Sequence, residues 1–489
     1  MKKHSVHIML TEYSLTIVPS NADVERFLTV EVKCLEQSPD KPWIIKNTKK
    51  RKRVFKVIRE EGPRVVQTMQ GFWYGLKEFL ENKGYTVKLD DLRKEFTQPR
   101  FDLMCGFRFG QEQLLKDFLS KNTSGLLGAP TRYGKTTLMK NTLRAYTGLT
   151  TVVTAPGADL VTQLYEDIKA DLPHREVKLI GAGSKVRYPS EDITVMSMDS
   201  MDKADFGRTE LLLIDEPHAA VTDSRLPILN SFQKARRLGF GATLRGRFDG
   251  KDALITGLIG PVLAERTYLE AVAEGAICPL KVFMLRIPIN KRAVSTSWNR
   301  TQAYKNMLFE SPRMAEVANK LCRELIPDSW QTLLFIKNEK QADLYLKHIG
   351  EEGTIAMAKK LTSKQRDEVM ERMRSDEIKR CIASDIYAQG VTFNHVRVMI
   401  NLAGGGNNTT TIQKPGRLAE VREGKKAGVI IDFMFYPADG LTSQNCGEGL
   451  RMLCIDSNNR RKAYEDKGYE VIEVSNFDEL QNLTQSVLV

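Results

Sequence analysis

LLGAPTRYGKTTLMK, residues 126–140, is an apolar segment, a polar turn and then an amphipathic run. That order reads as strand, loop and helix. The loop resembles the spacing G-x-x-x-x-G-K-[ST], in which backbone N–H groups converge on phosphates at a helix N-terminus. Its lysine reaches the outer phosphates, and its hydroxyl holds Mg²⁺. Gly134, Lys135 and Thr136 fit the spacing. Ala129 stands where the first glycine belongs, with Gly128 beside it. Pro130, Thr131, Arg132, Tyr133 and Thr137 complete the candidate phosphate loop, and Pro130 suits a stiff entry.

A phosphate loop of this kind needs an acidic partner. LLLIDEPH, residues 211–218, is a run of consecutive apolar residues ending in Asp215, Glu216, Pro217 and His218. A buried parallel strand delivers such carboxylates to its C-terminal edge, where open α/β sheets bind ligands. There Asp215 can hold Mg²⁺, and Glu216 can orient or deprotonate an attacking water. An acidic turn after a strand is common in isolation. The pair of motifs, in this order, is far more specific than either one.

Around this pair the chain alternates short apolar strands with amphipathic helices. TVVTAP, ITVMSM, LLLIDE and RLGFGAT are strands of a first α/β series from about residue 105. TLLFIK, TIAMA, RCIASD, VMINLA and GVIIDF form a second series. Between them residues 281–312 read as irregular. The expected architecture is α/β, with domains over residues 105–280 and 281–489, preceded by a small basic α+β domain over 1–104. In that first part GFWYGLKEFLENKGY has helical spacing, with Gly84 as its stop. KKRKRVFKVIR reads as one strand with a charged face.

Composition narrows the class. The 489 residues exceed a single core, and 42% apolar with 27% charged residues is ordinary for a globular protein. No apolar run reaches the ~18 residues of a membrane span. The expected location is the cytoplasm. Seven cysteines are scattered without a C-x-x-C, which opposes a disulfide framework and a zinc site. The net charge of +12 favours a polyanionic partner. Residues 1–100 hold 20 Lys/Arg against 13 Asp/Glu. Lys49, Lys50, Arg51, Lys52 and Arg53 form the densest run, readable as phosphate contacts, a solvated strand face or a localisation signal. Phe72, Trp73 and Tyr74 are stacking candidates or core residues.

The D-E-P-H segment resembles the D-E-x-H box of superfamily 2 helicases and translocases, and other boxes follow in family order across residues 105–440. FRFGQEQ resembles the element before the phosphate loop, which implies that Gln111 reads adenine beside Arg108. TAPGADLVTQ resembles motif Ia, implying that Pro156 and Gln163 face a nucleic acid backbone. VMSMDSM resembles motif Ic through Ser197. GFGATLR resembles the box that couples hydrolysis to domain movement. IASDIYAQGVTF resembles motif V, with Ser384 on the nucleic acid and Gly390 on the nucleotide. QKPGRLAEVR resembles motif VI, Q-x-x-G-R-x-x-R, with Gln413 at the nucleotide and Arg417 as arginine finger. Glu420 occupies the position of its last arginine, and Arg422 lies two residues on. The fold implied is two tandem RecA-like domains after the small N-terminal one, with ATP and Mg²⁺ as cofactors. Within the superfamily the chain is most similar to UvsW-like phage helicases, which implies a motor on branched or duplex DNA, with single strands a further substrate. An RNA track and a nucleotide-binding scaffold without turnover are the alternatives.

Overall fold

The computed structural model describes residues 5–38, 41–222, 224–244, 251–350, 353–357, 362–384, 396–406, 415–421 and 425–488. Residues 1–267 form one compact unit and residues 268–489 another.

The first unit begins with β1 (Ser5–Leu10) and β2 (Ser14–Val18). The ribbon strands β3 (Thr29–Ser38) and β4 (Lys41–Arg53) follow, then β5 (Phe55–Arg59), β6 (Val65–Met69) and β7 (Thr86–Asp91). Strand β1 buries Val6, Ile8 and Leu10 at every second position, as a half-buried strand must. The five-stranded sheet runs β5-β6-β2-β1-β7, while β3 and β4 pair as a separate antiparallel ribbon. The basic stretch is therefore two strands rather than one. Val54 breaks it, its N–H donating to the Leu28 carbonyl. Helix α1 (Trp73–Asn82) packs Leu76 and Leu80 on the sheet and stops where Gly84, at φ 83°, donates to Glu81.

The rest of the first unit is built on a wholly parallel sheet. Its strands are β8 (Gly125–Gly128), β9 (Thr151–Ala155), β10 (Val177–Ile180), β11 (Ile193–Ser197), β12 (Leu211–Asp215), β13 (Arg236–Gly241) and β14 (Val262–Glu265). Their order is β10-β11-β9-β12-β13-β8-β14. This places the strand before the phosphate loop and the acidic strand on either side of β13. Helix α2 (Lys135–Ala145) connects β8 to β9, and helix α3 (Asp252–Ile259) docks the N-terminal sheet. A Cβ on Gly71 would stand 1.9 Å from the Thr256 carbonyl, and one on Gly257 would stand 2.4 Å from the Phe72 ring. The Gln70 amide donates to the Ile259 carbonyl at 2.8 Å, and this bond is buried. The N-terminal sheet and the first parallel sheet thus share one compact unit.

The boundary expected at residue 280 lies at Thr267/Tyr268 in the compact units. Tyr268 packs edge-on against Tyr469, and its hydroxyl accepts from the Leu280 N–H, both in the second unit. The segment read as irregular begins with a long strand, β15 (Leu280–Ile289), whose mixed burial hid its period. Strands β16 (Gln331–Ile336), β17 (Thr354–Met357), β18 (Arg380–Ser384), β19 (Val396–Asn401), β20 (Gly428–Pro437) and β21 (Glu470–Val474) join it. The order is β17-β18-β16-β19-β20-β15-β21, again wholly parallel. These two sheets are the tandem RecA-like domains that the resemblance implies.

Candidate active site

The phosphate loop leaves β8 and ends on helix α2. Its freedom lies at Gly134, held at φ 96°. A Cβ there would also meet the Gln111 amide nitrogen at 2.4 Å, so glycine is required twice over. Ala129 needs no such freedom. It is buried, and its N–H donates to the Gly241 carbonyl at 3.0 Å. The departure from the motif at this position is therefore structurally neutral. Gly128 is the residue under pressure, since a Cβ would press on Glu265 at 2.9 Å. Tyr133 is buried, and its N–H, expected to serve a phosphate, donates inside the loop to Pro130.

Lys135 meets the acidic strand end. Its Nζ lies 2.5 Å from Glu216 Oε1, and His218 Nδ1 lies 3.3 Å from Glu216 Oε2. Glu216 itself sits at φ 49°, a left-handed backbone that side chains rarely adopt. Burial opposes its ionisation, but Lys135 and His218 overcome that and hold its carboxyl below the usual range. Asp215 moves the other way, pushed up by burial and then by repulsion from Glu216. Burial likewise opposes the charge on Lys135, and the two carboxylates more than restore it. One ammonium thus faces two carboxylates at the mouth of a helix. This set suits a divalent cation and a polyphosphate together.

Gln111 ties the preceding element to the loop. Its Oε1 accepts from the Arg108 N–H at 2.9 Å, and its Nε2 donates to the Tyr133 carbonyl at 2.5 Å. Pro217 packs against Gly241, where a Cβ would meet it at 3.0 Å, so the acidic box touches the G-A-T strand directly. Thr243, just beyond that strand, is buried, and its hydroxyl has no hydrogen-bond partner among the described residues. Thr136 and Thr137 are half-buried on the first turn of α2.

The expected nucleic-acid residues divide. Pro156 is half-buried and Gln163 exposed, both beyond the C-terminal end of β9. Ser197 is buried and bonded to the Ser200 hydroxyl at 3.0 Å, so its oxygen does not face solvent. Ser384 is also buried. Lys49, Lys50, Arg51, Lys52 and Arg53 are all exposed, with Lys49 in an ion pair with Glu31 at 2.7 Å. Phe72 is core, whereas Tyr74 is exposed. Arg417 lies on the 3₁₀ turn Pro415–Leu418. Its side chain, together with Gly390, Gln413 and Arg422, falls outside the described residues. Among the described residues no cluster of three His, Cys, Asp or Glu side chains could hold a metal by itself, and no helix is long and apolar enough to cross a membrane.

Residues 104–246 match the family model of the type III restriction enzyme res subunit, and residues 316–421 match the helicase conserved C-terminal domain. A putative helicase of a Sulfolobus islandicus filamentous virus is 23% identical over 238 residues, 46% of this chain and 42% of its own length. The chain therefore spans less than half of that relative. The DNA 3'-5' translocase XPB2 of Sulfurisphaera tokodaii is 23% identical over 421 residues, 74% of this chain and 92% of the relative. Among solved structures, a Leu-to-Val variant of S. cerevisiae Dbp5 bound to RNA and ADP BeF3 covers 78% of this chain and 93% of its own, at 16% identity and a TM-score of 0.52. T4 UvsW covers 96% of this chain and 99% of its own, at 15% identity and a TM-score of 0.39, which adds nothing to the fold assignment.

Proposed function

This chain belongs to the superfamily 2 helicases, and from that premise we propose that it is an ATP-driven motor on branched or duplex DNA. The observation that carries the reading is the ion pair of Lys135 with Glu216, which brings the phosphate loop and the acidic strand end into one site. An entering triphosphate competes with Glu216 for the ammonium. Once Lys135 turns to phosphate, Glu216 is released to orient the attacking water. When bound, Mg²⁺ screens the phosphate charge, and Thr136 and Asp215 are the residues that would hold it. Arg417 is the arginine proposed to stabilise charge on the transferring phosphoryl group.

DNA as the track rests on three supports. The net charge of +12 suits a polyanion. The Lys49–Arg53 run is exposed in full. The archaeal relative that matches three quarters of the chain is named a DNA translocase. Fork regression and branch migration are the finer proposal, supported by the sequence resemblance to UvsW-like helicases. The test is ATP hydrolysis with no nucleic acid, single-stranded DNA, duplex DNA, a four-way junction and single-stranded RNA, at one salt concentration. Stimulation by the junction or duplex is expected. Stimulation by RNA alone overturns the DNA track, and nucleotide binding without turnover on any of them overturns the motor.

A further inference from the structure

The loop after β10 carries an aromatic side chain with no place in the fold. Strand β10 ends at Ile180, opposite Met196 of β11, and Ser197 of β11 lies opposite Ala155 of β9. The loop therefore leaves the same sheet edge as Pro156 and the Ser197 turn. Both its ends are pinned. A Cβ on Gly181 would stand 2.5 Å from the Ser200 hydroxyl and 3.0 Å from that of Ser197. Ser190, itself buried, donates its hydroxyl to the Glu176 carboxylate at 2.6 Å and its N–H to Thr194 Oγ1 at 2.8 Å. Between these anchors Lys185, Val186, Arg187 and Tyr188 are exposed. Tyr188 is 80% exposed, the highest value among the described large apolar side chains. No acidic residue lies between Gly181 and Ser190.

We infer that Tyr188 stacks on an unpaired nucleobase while Lys185 and Arg187 hold its flanking phosphates. The inference rests on the nucleic-acid reading above and names a contact that reading lacks. An exposed ring beside two cations, on a loop fixed at both ends, offers what single strands bind: a π-face and a positive track. A duplex buries its base faces in its own stack, so the ring discriminates for unpaired bases. Ser197, expected to touch nucleic acid, is instead buried against the root of this loop, and the contact passes to the loop tip.

The test uses the full chain, a fluorescein-labelled oligo(dT) and a blunt duplex of equal length, with anisotropy at fixed salt. Tyr188→Ala is expected to weaken oligo(dT) binding by about 5- to 150-fold, the ratio equal to roughly 1–3 kcal/mol for one base–aromatic stack, and to leave duplex binding unchanged. Tyr188→Trp retains affinity, and an unshifted melting curve for both variants is expected of a ring already in solvent. Lys185→Ala with Arg187→Ala weakens both probes and flattens the salt dependence. Unchanged oligo(dT) binding by Tyr188→Ala overturns the proposal, and so does an equal loss on both probes. Wild-type protein that binds neither probe overturns the nucleic-acid reading itself, which no Tyr188 result can do.

Discussion

The proposed mechanism gives Glu216 two duties at different stages. In the structure it neutralises Lys135 from a left-handed backbone. Glu216→Gln keeps the shape and removes the base. It is expected to lower kcat by roughly 10²–10⁴-fold while nucleotide binding survives. Turnover at the wild-type rate would remove Glu216 from the chemistry. Lys135→Ala is expected to abolish hydrolysis, read with the same assay on a protein whose melting curve is intact. Gly134 is the residue whose role could be read in advance, since the motif demands a tight turn. That its hydrogen also makes room for the Gln111 amide could not, because Gln111 lies far back in sequence.

Elements tell a second story, about docking. Helix α3 presents Gly257 to the Phe72 ring and its carbonyls to Gly71 and Gln70, so at Gly71 backbone meets backbone with no side chain between. Gly71→Ala forces them apart and is expected to cost about 1–3 kcal/mol, seen as an earlier thermal transition. An unchanged transition would mean the packing there yields freely. In the second unit, Arg460 of the helix Glu448–Asp466 reaches Asp432 on β20, and both are buried. Asp432 also receives the Tyr464 hydroxyl and the Asn401 amide. Arg460→Ala strands a buried carboxylate and is expected to cost about 3–5 kcal/mol, measured by urea unfolding. A loss below about 1 kcal/mol would show that Tyr464 and Asn401 suffice. The alternation of strands and helices had marked the GVIIDF segment of β20, ahead of the helix that packs on it. The ion pair between them had no sequence signature.

For the molecule as a whole, charge is the property that reaches a partner first. Reversing Lys49, Arg51 and Arg53 to Glu is expected to weaken duplex binding and to reduce its salt slope by about 0.9 for each phosphate that no longer meets a cation. An unaltered slope would make the run a solvated ribbon face, the rival reading that sequence left open. The two-sheet plan, the phosphate loop and the acidic strand end were all legible in the chain, because each depends on local period and on motifs a few residues long. The described structure alone placed the N-terminal sheet and the first parallel sheet in one unit, buried Ser197, exposed Tyr188 and closed Lys135 on Glu216. Those outcomes turn on residues that meet from far apart: 81 positions for Lys135 and Glu216, 189 for Gln70 and Ile259. Local pattern dictates which elements form, since a strand or helix needs only its own neighbours. Which faces they bury, and so which polar atoms remain for a ligand, is decided only when distant elements pack.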